Sequence, residues 1–164
     1  MGAVARQLLG TAAAVALLAG CTSGSSDGPV EVDADAPPAE DRAACGALHD
    51  ALPEEVADLA ERSVDPDSDW AAAWGDPAIV LTCGGPPAEE FKRTSTCTTV
   101  NGVDWFIPEE QLETGEPVEL TMTTVNREPV VRVLLPAERW PPATTLADLS
   151  SAVRTSTDRT GSCV

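Results

Sequence analysis

A thiol at Cys21 follows Leu18-Ala19-Gly20 at the end of an apolar run, and that spacing points to covalent chemistry on the sulfur. A leucine and two small residues before a cysteine form a lipobox: the thiol takes a diacylglyceryl group and the chain is cut before Cys21. The run from Leu8 to Ala19 holds twelve residues. As a helix it would rise about 18 Å against a hydrocarbon core of roughly 30 Å, so residues 1–20 read as a lipoprotein signal peptide rather than a stable span. Two acyl chains, at about 0.8 kcal/mol per buried methylene, bind far beyond the marginal level of a single chain. The expected location is the extracytoplasmic face of the cell membrane.

Other reactive groups are sparse. Asp65, Asp67 and Asp69 alternate as calcium ligands do, but an EF-hand loop from Asp65 would need glycine where Trp70 stands and glutamate where Asp76 stands. A solvated acidic loop is the expectation. His49 is the one histidine, four residues after Cys45; beside a core stripe it reads as a packed or rim residue, and no His-paired metal site can be built. Asp76 with Asp104 is a pair that could serve as acid and base in glycoside cleavage. No nucleophile elbow, phosphate loop or metal motif accompanies them, so no cofactor is expected.

With Cys21 consumed, Cys45, Cys83, Cys97 and Cys163 remain, an even number in an oxidising compartment. Three pairings can be drawn. The favoured one joins Cys45 to Cys83, tying the first helix to the first strand, and Cys97 to Cys163, pinning the C-terminal tail. No two of the four have zinc-knuckle spacing.

Charge narrows the partners. Without residues 1–20, which hold one arginine and no acid, 9 basic side chains face 27 acidic ones, a net charge of −18. Such a surface repels nucleic acid and anionic headgroups, so the lipid must hold the protein to the membrane. Residues 21–40 are rich in Ser, Gly, Pro and acids and read as a disordered acidic tether. Residues 41–164 then form a single disulfide-bonded domain.

Elements follow from periodicity and turn signals. A first helix runs from after Pro38 to Leu52, with Cys45, Leu48 and Leu52 on one face. A short helical piece is expected over Glu54 to Arg62, burying Val56 and Leu59. Ala78 to Cys83 reads as a buried strand bounded by Gly-Asp-Pro and Gly-Gly-Pro-Pro turns. Further strands are expected at Thr94–Val100, Val103–Ile107, Pro117–Val125 and Pro129–Leu135. Asn101-Gly102 signals a type I′ hairpin. The alternation of Val118, Leu120 and Met122, and of Val131, Val133 and Leu135, predicts an antiparallel pair around Asn126-Arg127-Glu128. A last helix starts near Thr144 or Thr145, with Leu146, Leu149 and Val153 inward. The expected class is α+β: two layers, an antiparallel sheet of about five strands with the N- and C-terminal helices on one face.

The N-terminal helix with its Cys and Leu-Pro, the tract Ala72-Ala73-Trp74-Gly75-Asp76-Pro77-Ala78-Ile79-Val80-Leu81-Thr82-Cys83-Gly84 and the tract Val100-Asn101-Gly102-Val103-Asp104-Trp105 together resemble an actinobacterial envelope family, domain of unknown function 3515. The similarity extends from about Cys45 to Cys163. Members often carry a lipobox and an aromatic-Gly-Arg turn before the last strand; the corresponding turn here is Val125-Asn126-Arg127, and asparagine preserves a left-handed conformation. The resemblance implies fold and place and leaves activity unassigned.

Two functions are compatible with these residues. One is a non-catalytic binding or scaffolding module of the cell envelope, engaging a protein or glycan through Trp74, Asp76, Asn101, Asp104, Trp105 and Arg127. Tryptophan faces stack on sugar rings, and amides and carboxylates beside them supply hydrogen bonds. Equally, both tryptophans suit a core, and the Gly, Asp, Pro and Asn positions suit turns. The other function is an envelope hydrolase using the Asp76 and Asp104 carboxylates.

Overall fold

The computed structural model describes residues 28–113 and 115–163. The expected leader, Cys21 and tether residues 22–27 lie outside the described residues. In chain order the elements are β1 (Val30–Glu31), α1 (Arg42–Ala51), β2 (Glu55–Val56), β3 (Leu59–Arg62), β4 (Val64–Asp65), β5 (Ala71–Trp74), β6 (Ile79–Cys83), β7 (Thr98–Val100), β8 (Val103–Phe106), α2 (Glu109–Leu112), β9 (Leu120–Thr124), β10 (Arg127–Glu128), β11 (Val131–Leu135), a 3-10 turn at Ala137–Arg139, α3 (Ala143–Ser156) and β12 (Asp158–Arg159).

One antiparallel sheet of eight strands, ordered β2-β3-β5-β6-β11-β9-β8-β7, forms the body of the domain. The class is α+β, but the sheet is larger than the five strands expected. Part of the difference lies at residues 54–62, which form a hairpin and not a helix. Ala57 and Asp58 take φ of 51° and 61°, so Val56 and Leu59 stand opposite each other across a two-residue turn. A separation of three residues fits a helix face and such a hairpin equally well. Asp148 of α3 breaks the tie by accepting the Ala57 N–H at 2.9 Å. Strand β5 carries three alanines, weak strand formers whose pattern gives little signal on its own.

Both α1 and α3 pack on one face of the sheet, as alternation requires. Cys45 and Leu48 of α1 and Leu146, Leu149, Ala152 and Val153 of α3 form one core with Trp74, Ile79, Leu81, Val103, Trp105, Leu120, Met122, Val131, Val133 and Leu135. Burying each such Leu, Ile or Val side chain is worth roughly 1.5–3 kcal/mol. The β9–β11 pair is antiparallel as anticipated, with Met122 opposite Val133 and Leu120 opposite Leu135. The β7–β8 hairpin turns on Asn101 and Gly102 at φ of 47° and 82°. Helix α3 begins at Ala143 behind Pro142, so neither Thr144 nor Thr145 caps it, and Thr145 is buried within its first turn.

The opposite face of the sheet is not left to solvent. Residues 28–37, part of the expected disordered tether, lie along it as a strap, which corrects the boundary of the domain. Strand β1 pairs in parallel with β4, and Val32 packs with Val64, Ala71 and Ala73. Alanines on the outward side of β5 expose too little apolar surface to sustain a layer of their own, and the strap's valines cover them. At its far end Pro37 is buried against Gly84, where an added Cβ would stand 2.2 Å from the Pro37 Cβ. Residues 86–97 cover the other half of this face, with Phe91 edge-on to Phe106 at 5.4 Å. This loop leaves only Thr98–Val100 of the expected 94–100 strand.

Two disulfides join Cys45 to Cys83 and Cys97 to Cys163, with Cα separations of 5.6 and 6.3 Å. They match the favoured pairing. No helix among the described residues is long and apolar enough to cross a membrane.

Candidate functional site

Strand alternation on β8 points Val103 and Trp105 into the core and Asp104 to the other face, opposite Thr99 of β7. There Asp104, only 7 % exposed, accepts the Thr99 hydroxyl at 2.7 Å and the Cys163 N–H at 3.3 Å. The Arg159 guanidinium lies 3.8 Å from the same carboxylate. Arg127 closes the corner from the reversal after β9. It is buried, donating through Nη1 to the Thr157 carbonyl and hydroxyl and through Nη2 to the Gly102 carbonyl, each at 3.1 Å. Arg154 of α3 donates to the Asn101 carbonyl at 3.3 Å.

Burial holds Arg127 below the ordinary guanidinium pKa; the neighbouring Arg159 and Arg154 push the same way, and Asp104 opposes them. The corner therefore gathers three cations around one carboxylate in a chain with a net charge of −17. Asn126 precedes Arg127 at φ 54°, the left-handed turn anticipated there, and accepts the Thr160 N–H through its carbonyl at 2.8 Å.

Among the described residues, three recesses on the loop-covered side bear on the site. One of about 380 Å³ is bounded by Pro87, Glu89, Phe106, Gln111, Thr123 and Arg132, and another of about 390 Å³ by Lys92, Thr94, Glu109 and Glu110. A third, of about 270 Å³, adjoins the arginine corner and is lined by Phe91, Arg93, Ser95, Asn126, Ser162 and Cys163. It is the one of the three with no carboxylate in its lining.

The six residues proposed from sequence do not form one surface. Trp74 and Trp105 are fully buried in the core, Trp74 donating its indole N–H to the Pro53 carbonyl at 3.0 Å. Neither can stack on a ligand. Asp76 sits in the β5–β6 turn, where its backbone carbonyl accepts from Arg139. Asp104 and Arg127 do meet, while the Asn101 side chain in the adjoining turn is directed to α3, its amide donating to the Ala147 carbonyl at 3.5 Å. Between β6 and β8 lie β11 and β9, and the register places Asp104 near the opposite end of the sheet from the Asp76 turn. At strand spacing and rise the two carboxylates are on the order of 20 Å apart, well beyond the roughly 5–9.5 Å of a glycosidase pair.

His49 is half-buried beside Cys45, Leu48, Trp70 and Leu81. Asp65, Asp67 and Asp69 are exposed, and no cluster of three or more His, Cys, Asp or Glu side chains among the described residues could hold a metal ion.

Arg93, Ser95, Arg154, Arg159 and Ser162 were not anticipated. A signal for two of them was present: Ser95 lies two residues before Cys97 and Ser162 one before Cys163, so the Cys97–Cys163 bridge brings both hydroxyls to one place.

An antiparallel sheet with two helices on one face, a strap on the other and two disulfides defines a cross-linked α+β domain. The chain belongs to the family described as Protein of unknown function (DUF3515), whose model matches residues 6–160. Neither curated proteins nor solved structures give a significant match.

Proposed function

We propose that this chain is a non-catalytic binding module of the cell envelope, held on the extracytoplasmic face of the membrane by a diacylglyceryl group on Cys21. The observation that carries this reading is the pairing of a fixed polar corner with a recess of donor groups beside it. Asp104 and Arg127 are committed to internal hydrogen bonds and keep the corner rigid. Rigid support of exposed polar groups is what recognition needs and lowers the ordering cost of binding.

The strap adds a direction. Arg62 donates to the carbonyls of both Gly28 and Gly75, so the strap enters at the β5–β6 turn end of the sheet, remote from the arginine corner. Seven residues from Cys21 to Gly28 span at most about 25 Å when extended. An acylated Cys21 would thus keep the Gly28 end near the lipid and turn the corner outward. The hydrolase alternative is disfavoured by the spacing of Asp76 and Asp104.

Crosslinking of the tethered protein in its native envelope, with identification of what is captured, tests the proposal. A reproducible envelope protein or wall fragment is expected. Recovery of neither, or a mature chain whose Cys21 mass shows no acyl group, would count against it.

A further inference from the structure

We propose that the recess beside the arginine corner is an oxyanion site that takes a phosphate or carboxylate group of an acidic envelope glycan. The inference rests on the binding-module reading and assigns its ligand chemistry. Four polar side chains line the recess: Arg93, Ser95, Asn126 and Ser162. Each can donate a hydrogen bond, and none is a carboxylate. The Ser95 oxygen accepts the Lys92 N–H at 3.0 Å, which leaves its own proton to give. Arg93, Asn126 and Ser162 make no side-chain hydrogen bond or ion pair with other described residues.

Arg159 does not line the recess but is linked to two residues that do, Asn126 and Cys163. Its Nε donates to the Gly161 carbonyl at 2.7 Å, and Gly161 packs on the Asn126 side chain that lines the recess. The guanidinium also approaches Asp104, whose carboxylate receives the N–H of Cys163, another lining residue. Across the β10–β12 ribbon Arg127 is directly opposite Arg159, and Glu128 is opposite Asp158. Successive side chains on a strand take opposite faces, so both arginines share one face and both acids share the other. Like charges directly opposite are unfavourable. Asp104 neutralises only one of them, and an arriving anion would answer the remaining charge.

Acidic chains with 27 carboxylates repel polyanions at long range, but charges beyond about 8 Å are screened at physiological salt, so the local donors decide. A recess of about 270 Å³ suits one charged group and its neighbouring atoms more than a large ligand. The large hydrophobics exposed among the described residues are Leu112 and Trp140, and neither lines the recess. Protein interfaces usually bury aromatic or aliphatic anchors at their centre. An acidic polymer needs none, and an acylated Cys21 joined to the strap at Gly28 would turn the recess away from lipid headgroups.

The test measures binding of the full mature chain to short-chain polyphosphate, to polygalacturonate and to phosphatidylglycerol vesicles across a salt series. Arg93→Gln with Arg159→Gln is compared with Arg139→Gln, a charge change at the remote end, with tryptophan near-UV dichroism confirming the fold of each. At least one of the two polymers should bind, and the double variant should lose about tenfold or more of that affinity, the size of one charge-assisted hydrogen bond, together with part of the salt dependence. Binding to vesicles alone, equal weakening by Arg139→Gln, or no binding to either polymer would overturn the assignment. Capture of an envelope partner that persists in the double variant would sink this inference while leaving the binding-module reading intact.

Discussion

Arg127 and Arg159 face each other across the two-residue β10–β12 ribbon, two arginines in register near one buried carboxylate, Asp104 of β8. Such a pairing is held by hydrogen bonds more than by charge. Arg127 ties the β7–β8 turn to the end of α3 through Gly102 and Thr157, beside the bond from Arg154 to the Asn101 carbonyl.

Replacing Arg127 with alanine should therefore cost about 2–4 kcal/mol, since three hydrogen bonds to buried or half-buried groups are lost. Urea unfolding followed by tryptophan fluorescence measures it. Arg127→Lys should recover little, because one ammonium cannot reach both Gly102 and Thr157 in the fork geometry that guanidinium provides. Full recovery by lysine would show that charge alone matters at this position.

Asp104→Asn keeps an acceptor for Thr99 but removes the only carboxylate within 4 Å of Arg159 among the described residues. The variant should be destabilised by about 1–3 kcal/mol. Its deficit should shrink as salt rises, because screening relieves the uncompensated arginines. A deficit that stays constant from low to high salt would refute the electrostatic account.

Gly84→Ala and Gly46→Ala should have opposite signs. At Gly84, φ is +84° and the new methyl would collide with Pro37, so the strap must lift and stability should fall by about 1–3 kcal/mol. Gly46 lies inside α1 with nothing within 4 Å of an added Cβ, and alanine there should stabilise by roughly 0.5–1 kcal/mol. Thermal melts of the two variants against the parent decide the matter. Limited proteolysis of the Gly84 variant should also show new cleavage within residues 28–37.

Removing the Cys97–Cys163 bridge as a double serine variant should lower stability by about 4 kcal/mol, from a sequence separation of 66 residues. The loss should be regional. Hydrogen exchange is expected to speed up at β7, β10 and β12, while β6 amides, held by the Cys45–Cys83 bridge, keep the greater protection. Uniform loss of protection would mean that the two bridges act on one cooperative unit.

Much of this architecture is visible in residue order. The antiparallel β9–β11 pairing follows from alternation of Leu120, Met122, Val133 and Leu135, and the Asn101-Gly102 hairpin follows from the left-handed tolerance of both residues. Residues 54–62 misled because Val56 and Leu59 are three apart in a helix and face to face in a hairpin. Asp148, 91 residues from Ala57, supplied the discriminating contact. The strap was invisible for a different reason: Val30 and Val32 sit in polar, proline-rich surroundings, and only the bare alanines of β5 give them something to cover. Of the candidate site, Asp104, Asn101 and Arg127 were legible as turn-associated polar residues. Arg154 joins them because the end of α3 packs against the β7–β8 turn, and Arg159 because the tail folds back beyond α3, contacts without local signature.

The strap also determines how tension would travel. Were Cys21 to carry the proposed acyl group, any pull would enter at Gly28 and run lengthwise down β1, loading its hydrogen bonds to β4 in shear and not peeling them one at a time. Past β1 the load would reach Pro37, wedged against Gly84, and then the covalent clamp between α1 and β6. A domain moored in this manner would resist being torn from its leash when a wall-bound partner drags on its outer end.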